Sequence, residues 1–258
     1  MSTMINPLKA KLERGEPIIG LWSLIPSAPL AEIFAHAGFD FLILDMEHGA
    51  FSFETLENCI RACELAGCVA IVRPPGADLF SIQKALDLGA PGILVPQLAD
   101  AETTNNAIRK TKYAPDGCRG FNPFTRAANY CPPPTIPYGK LDNSFGFSGV
   151  IIETSGAYEE LSQILAVPGL DWIYLGAYDM SVVLGCAGNT KHPRVLEFIH
   201  KATRLATAAG KTVGLMVRNQ EEVNQALAMG VQAIVFAVDT FLIRQAAVDA
   251  VSLVKQVK

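Results

Sequence analysis

Eight times along the chain a short apolar run is followed by a longer amphipathic segment, and this alternation limits the fold more than any other feature. The runs read as strands at Ile18–Trp22, Phe39–Leu44, Val69–Val72, Gly92–Val95, Gly149–Ile152, Trp172–Leu175, Val213–Met216 and Ala233–Phe236. The segments between them read as helices at Ala28–Ala37, Phe53–Leu65, Asp78–Leu88, Ala101–Thr111, Ala157–Leu165, Val195–Ala209, Glu221–Met229 and Leu242–Val257. Runs that are apolar without alternation belong to strands covered on both faces, as in a parallel sheet enclosed by helices. Five helices close on a glycine just before the next strand, at Gly38, Gly67, Gly89, Gly210 and Gly230, the position a left-handed C′ residue takes. Eight such units in 258 residues fit a single (β/α)8 TIM barrel spanning 1–258. The other arrangement of these elements is a doubly wound open sheet. No G-x-G-x-x-G follows the first strand, which counts against a dinucleotide-binding version of it. Residues 114–147, with Cys131-Pro132-Pro133-Pro134, read as one long loop after the fourth unit.

Composition agrees with a large buried core. Half the residues are hydrophobic, 18% are charged, and the mean hydropathy is +0.27. No apolar run approaches the roughly 18 residues of a membrane span, and the polar N-terminal stretch lacks a signal-peptide core. A net charge of -4 and a pI of 5.6 argue against a nucleic-acid partner. The six cysteines form no C-x-x-C pair and read as buried reduced thiols of a cytoplasmic protein. Cys59 and Cys63 share a helix face, but no histidine or further cysteine near them completes a metal site.

In a barrel of this kind chemistry gathers at the C-terminal ends of the strands. The residues there are Trp22-Ser23, Asp45-Met46-Glu47-His48-Gly49, Arg73-Pro74, Pro96-Gln97, Glu153-Thr154, Gly176-Ala177-Tyr178-Asp179, Met216 and Asp239-Thr240. Six ionisable groups thus converge: Asp45, Glu47, His48, Arg73, Glu153 and Asp179. Glu153 and Asp179, from separate strands, suit a hard divalent cation that keeps positions open for water and substrate oxygens. Of the four histidines, only His48 stands at such an end, and Asp45 three residues earlier is placed to orient it as a base. Arg73 supplies a fixed cation for a carboxylate or an enolate oxygen. No lysine follows a strand end, so a Schiff-base mechanism lacks its nucleophile.

The motifs Asp45-Met46-Glu47-His48-Gly49, Val72-Arg73-Pro74, Gly117-Cys118-Arg119-Gly120, Ile152-Glu153-Thr154 and Leu175-Gly176-Ala177-Tyr178-Asp179-Met180-Ser181, in this order, resemble the metal-dependent class II pyruvate aldolases. These are the 4-hydroxy-2-oxoheptane-dioate and 2-dehydro-3-deoxy-sugar-acid aldolases of the citrate lyase-like superfamily. The resemblance implies reversible cleavage of a 4-hydroxy-2-oxo acid to pyruvate and an aldehyde through a metal-stabilised enolate. It implies Mg²⁺, Mn²⁺ or Co²⁺ on Glu153 and Asp179, His48 as base, Asp45 as its partner, and Arg73 on the pyruvate oxygens. The turn Gly176–Asp179 would cradle the pyruvate carboxylate, with Trp22 and Met216 as further substrate contacts. It also implies a homohexamer, a trimer of dimers, with the last helix exchanged between neighbours. Two departures stand out: Ile151 where many members have glutamine, and Ala177-Tyr178 where the motif usually has proline and a small residue. They leave open oxaloacetate decarboxylation or another carbon–carbon bond-forming reaction at the same site, and a catalytically inactive barrel that only binds an oxo acid.

Overall fold

The computed structural model describes residues 5–131 and 143–255. The triple proline of residues 132–134 and the far end of the last expected helix lie outside them.

Eight parallel strands close into one barrel in sequence order, β8 pairing back onto β1. They are β1 (Ile18–Ser23), β2 (Phe41–Asp45), β3 (Val69–Arg73), β4 (Gly92–Val95), β5 (Phe147–Ile152), β6 (Trp172–Leu175), β7 (Thr212–Val217) and β8 (Ala233–Val238). An N-terminal helix α1 (Pro7–Glu13) precedes β1. The outer ring holds α2 (Ala28–His36), α3 (Phe53–Leu65), α4 (Leu79–Asp87), α5 (Ala101–Arg109), α6 (Ser155–Glu159) and α7 (Leu161–Leu165). It continues with α8 (Ala177–Val183), α9 (Pro193–Ala208) and α10 (Gln220–Ala228), and α11 (Asp239–Lys255) ends the chain. Among the described residues no helix is long and apolar enough to cross a membrane.

Local chemistry sets the boundaries. Ser27, Ser52, Asp78, Asp100 and Asn219 cap their helices through side-chain oxygens, and Ser52 with Thr55 and Asp100 with Thr103 form reciprocal capping boxes. All five expected C′ glycines have positive φ, for example Gly38 at 103° and Gly89 at 93°. The expected helix 157–165 is two short helices that meet at Glu160, where the backbone leaves helical geometry at φ -95° and ψ 17° and the carboxylate accepts the Ala101 N–H. Helices α1 and α8, seven residues each, are additions to the expected pattern.

The strands bury both faces, but the two faces pack differently. Outward residues join the helices in one continuous layer. Inward residues fill the barrel, and the glycines at 20 and 149 make room for rings: a Cβ on Gly20 would stand 2.2 Å from the Phe41 ring, and one on Gly149 2.2 Å from Trp172. Phe147 stacks on Trp172 at 5.3 Å, Phe41 meets it edge-on at 6.3 Å, and Leu8 of α1 joins this cluster at the base. The base is therefore packed shut, and among the described residues the charged inward side chains Asp45, Arg73 and Glu153 stand at the opposite end.

Four of the six cysteines are buried, as expected; Cys118 and Cys131 are exposed instead, because both fall in the long segment after α5 rather than in the ring. Burial pushes the Cys59 thiol up to about 11, so it stays protonated near neutrality.

Candidate active site

Side chains alternate along a strand, so the inward positions of β2 run 41, 43, 45 and those of β3 run 69, 71, 73. The lower four are apolar and fill the barrel; the last of each series is Asp45 or Arg73. On β5 the same count leads through Phe147 and Ile151 to Glu153, just past the strand end. The charged groups are thus the top inward layer of a barrel whose lower layers are hydrocarbon.

The β2–β3 register sets Asp45 directly beside Arg73. The carboxylate takes two hydrogen bonds from the guanidinium, one of them from Nε at 2.8 Å. Asp45 Oδ1 also accepts from the backbone N–H of Glu47 and His48, at 3.0 and 3.2 Å. Asp45 therefore fixes the His48 turn through its backbone; its oxygens are spent on Arg73 rather than on the imidazole. This corrects the expected Asp45–His48 side-chain pair. Arg73 Nη1 lies 2.9 Å from Glu47 Oε2, an ion pair whose angle leaves that buried oxygen without an aligned hydrogen bond. The guanidinium also covers the Trp22 ring at 4.4 Å, and Trp22 Nε1 donates to the buried Tyr174 hydroxyl at 2.9 Å. Burial works against the Arg73 charge, but the Asp45 hydrogen bonds and the fields of Asp45, Glu47 and Glu153 outweigh it and raise its pKa.

Glu153 is 4% exposed. Its Oε1 accepts the Gln97 backbone N–H at 2.7 Å. Burial pushes its pKa up to about 7; the Gln97 N–H and Arg73 pull downward, while Asp179 and Glu47 push further up. Gly176 comes so close that a Cβ there would stand 2.6 Å from the Glu153 Cβ. Asp179 sits in the first turn of α8, on the exposed side of the mouth.

Every one of the ten expected site residues lines a single cavity of about 830 Å³: Trp22, Asp45, His48, Arg73, Glu153, Gly176, Ala177, Tyr178, Asp179 and Met216. Ile151 forms part of its inner wall. Sequence reasoning had no role for Glu47 beyond its place, nor for Tyr174, Gln97 or Arg218, which donates from Nη1 to the Tyr178 hydroxyl at 3.0 Å. Alternation along β6 could have found Tyr174; Gln97 contributes only a backbone N–H, which leaves no mark in residue type.

Charge supports a cation at this site. Asp45, Glu47 and Glu153 act on the Arg73 guanidinium, and burial first, with the fields of Asp179 and Glu47 added to it, raises Glu153, a cost that a divalent ion would relieve. Among the described residues no three His, Cys, Asp or Glu side chains gather as a metal-binding group. The carboxylate pair Glu153 and Asp179 has the chemistry of a donor set that would suit a hard ion retaining water and substrate oxygens.

Comparison with known proteins agrees with this geometry. Residues 18–246 match the HpcH/HpaI aldolase/citrate lyase family. The chain is 36% identical over 245 residues to a 4-hydroxy-2-oxo-heptane-1,7-dioate aldolase of Shigella sonnei (strain Ss046), covering 95% of this chain and 93% of that protein. Among solved structures it superposes on an HpcH/HpaI aldolase/citrate lyase family protein from Burkholderia cenocepacia J2315 with a TM-score of 0.90 and 29% identity, over 97% and 99% of the two chains. A citrate synthase, SbnG, superposes with a TM-score of 0.87 and 31% identity, over 96% and 97%.

Proposed function

The chain belongs to the HpcH/HpaI aldolase/citrate lyase family, and on that premise we propose that it is a divalent-metal-dependent aldolase cleaving a 4-hydroxy-2-oxo acid reversibly to pyruvate and an aldehyde. One observation carries this reading: the ten residues line one cavity, in which carboxylates outnumber the single buried guanidinium. Glu153 and Asp179 would hold the ion, with Mg²⁺, Mn²⁺ and Co²⁺ as candidates. When bound, it supplies Lewis-acid polarisation of the oxo group next to the breaking bond.

The chain's own residues do the rest. Arg73, held rigid by Asp45 and stacked on Trp22, points its charge at the oxo-acid oxygens and stabilises the negative charge that develops on the enolate. Backbone N–H groups at the Gly176–Asp179 turn hold the pyruvate carboxylate, and Trp22 and Met216 wall the substrate in. His48, exposed in the wall of the same cavity, removes the 4-hydroxyl proton. The C4–O bond becomes the aldehyde carbonyl, the C3–C4 bond breaks, and its electron pair passes into the enolate. A proton then returns to C3 to give pyruvate. Condensation runs the same steps in reverse.

The test is a panel of aldehydes with pyruvate or oxaloacetate as donor, with and without excess chelator, read by product mass. Aldol products that vanish with chelator and return with Mg²⁺, Mn²⁺ or Co²⁺ support the proposal; full activity in chelator ends it. Borohydride trapping of an adduct on any lysine would replace it with Schiff-base chemistry.

A second reading, decarboxylation of oxaloacetate or another enolate-based bond formation, is favoured by Tyr178 at the mouth and by the similarity to a protein named as a citrate synthase. The same panel separates it, since carbon dioxide then appears from oxaloacetate without an aldehyde.

We infer further that the working form is a homohexamer, a trimer of dimers, with α11 exchanged between neighbours. Of α11, Asp239 alone is buried, while Phe241, Ile243, Val248, Val251, Leu253 and Val254 are exposed. An apolar face of this kind needs a partner. The four buried free thiols fit a cytoplasmic setting.

A further inference from the structure

The cavity does not stop at the strand ends. It runs on over the end of β7, between α9 and α10, where Leu196, Ile199, Leu215 and Met229 line it. At the point where this extension leaves the barrel mouth stands Arg218, the first residue after β7. Its Nη1 donates to the hydroxyl of Tyr178, the residue beside Asp179. The backbone N–H of Arg218 is fixed by Glu222 Oε2 at 2.9 Å, which anchors the base of the side chain.

The charges here are not saturated. Arg218 Nη2 and Lys191 Nζ share one carboxylate oxygen, Glu222 Oε1, at 3.7 and 3.5 Å, both beyond a good hydrogen bond. The neighbouring Glu221 is engaged by Gln225 at 3.1 Å. A guanidinium carries five N–H donors, and apart from the Tyr178 bond those of Arg218 meet no acceptor at hydrogen-bond distance among the described residues. The Arg218 side chain is 37% exposed, so it borders the cavity without being free in solvent.

We propose that Arg218, steadied by the Tyr178 phenol, selects the acceptor half of the substrate by binding an anionic group at the far end of the aldehyde. The proposal rests on the aldolase reading and adds to it the residue that recognises the acceptor. Tyr178 extends from the turn that carries Asp179, so its bond to Arg218 points the cation across the path an acceptor takes from the reacting carbon into the extension. A carboxylate or a phosphate would meet the unused N–H groups there in a charge-assisted, bidentate contact. Beyond Arg218 the walls at Leu196, Ile199, Leu215 and Met229 are apolar, and of the carboxylates that line the extension Glu222 faces both Arg218 and Lys191 while Glu221 is engaged by Gln225.

The experiment uses the metal-loaded enzyme with pyruvate and three aldehydes of matched length: one ending in a carboxylate, one in a phosphate, one in a neutral hydroxyl. Wild-type enzyme is expected to favour an anionic acceptor by about 10- to 100-fold in kcat/KM, mostly through KM, the size of one charge-assisted contact. Arg218→Leu should collapse that preference, Arg218→Lys should restore part of it, and Tyr178→Phe should weaken it less than Arg218→Leu. Comparison of the carboxylate and phosphate arms names the group. Equal rates with charged and neutral acceptors in wild type, or an unchanged preference in Arg218→Leu, would overturn the proposal. Wild-type exchange of pyruvate C3 protons with deuterated water, needing no aldehyde, tests the underlying reading separately; its absence would remove the aldolase reading and the role of Arg218 with it.

Discussion

The Gln97 backbone N–H donates to Glu153 Oε1 at 2.7 Å from a left-handed conformation, with φ at 56°. A non-glycine residue held there costs on the order of 1 kcal/mol, and the hydrogen bond it makes is to a buried carboxylate, where such bonds are strong. The end of β4 thereby orients the group that would hold the metal. Gln97→Gly, which keeps the N–H and relaxes the strain, should retain activity and metal affinity within a few-fold. Gln97→Pro, which removes the N–H and forbids this φ, should weaken metal binding about 10- to 100-fold. Titration calorimetry compares them, and equal losses in both would shift the role to the glutamine side chain.

Glu153 gives a signed pH dependence. Its folded-state pKa of about 7 stands above the ordinary 4.5, so the metal-free folded protein holds a proton that the unfolded chain has released. Below about 4.5 both states are protonated and no penalty applies. As pH rises to about 7, this residue removes roughly 3 kcal/mol of metal-free stability, then levels off. Glu153→Gln should lack that slope in denaturant melts. Metal needs the ionised form, so affinity should climb up to tenfold per pH unit below about 7 and flatten above it. A flat affinity between pH 5.5 and 7 would contradict the assignment.

The proposed site gives Arg73 a chemical part beside its structural one. Arg73→Ala leaves Asp45 and Glu47 buried without their cation and should cost about 3–5 kcal/mol of stability. Arg73→Lys is the sharper variant. It keeps a charge but cannot make the paired Asp45 bond and the Glu47 contact together. A folded Arg73→Lys protein with kcat lowered about 10²- to 10³-fold is expected, and thermal melts alongside steady-state rates check both parts.

The exposed face of α11 leads to an assembly test. Val251→Asp with Leu253→Asp places two charges where an exchanged helix would be covered. Native mass spectrometry should show smaller species than for the parent protein. An unchanged mass would argue against the exchange.

Most of the fold could be read from residue order because strands covered on both faces are uninterrupted apolar runs, and because glycines such as Gly38 and Gly89 mark where helices must stop. Helices α1 and α8 escaped because seven residues give too few turns for a periodic pattern, although Asn6 before Pro7 is a readable cap. The site's membership was legible for the same reason as its place: inward alternation continues from Phe41 through Ile43 to Asp45. Its pairing was not. Asp45 lies three residues from His48 but is joined across the sheet to Arg73, 28 positions away, by a register that no local spacing records. Arg218 was missed because it stands out only through a partner 40 positions away in the first turn of α8, Tyr178.

The stacked rings at the barrel base carry a kinetic consequence. With Phe147, Trp172 and Phe41 filling the lower layers and Leu8 beneath, the described residues close the barrel at its base and leave the candidate site open at the strand ends. In the proposed reaction the oxo-acid half would sit at the inner wall and the acceptor half nearer the threshold. Traffic would then be ordered: in cleavage the aldehyde would leave before pyruvate, and in synthesis pyruvate would be seated before the aldehyde.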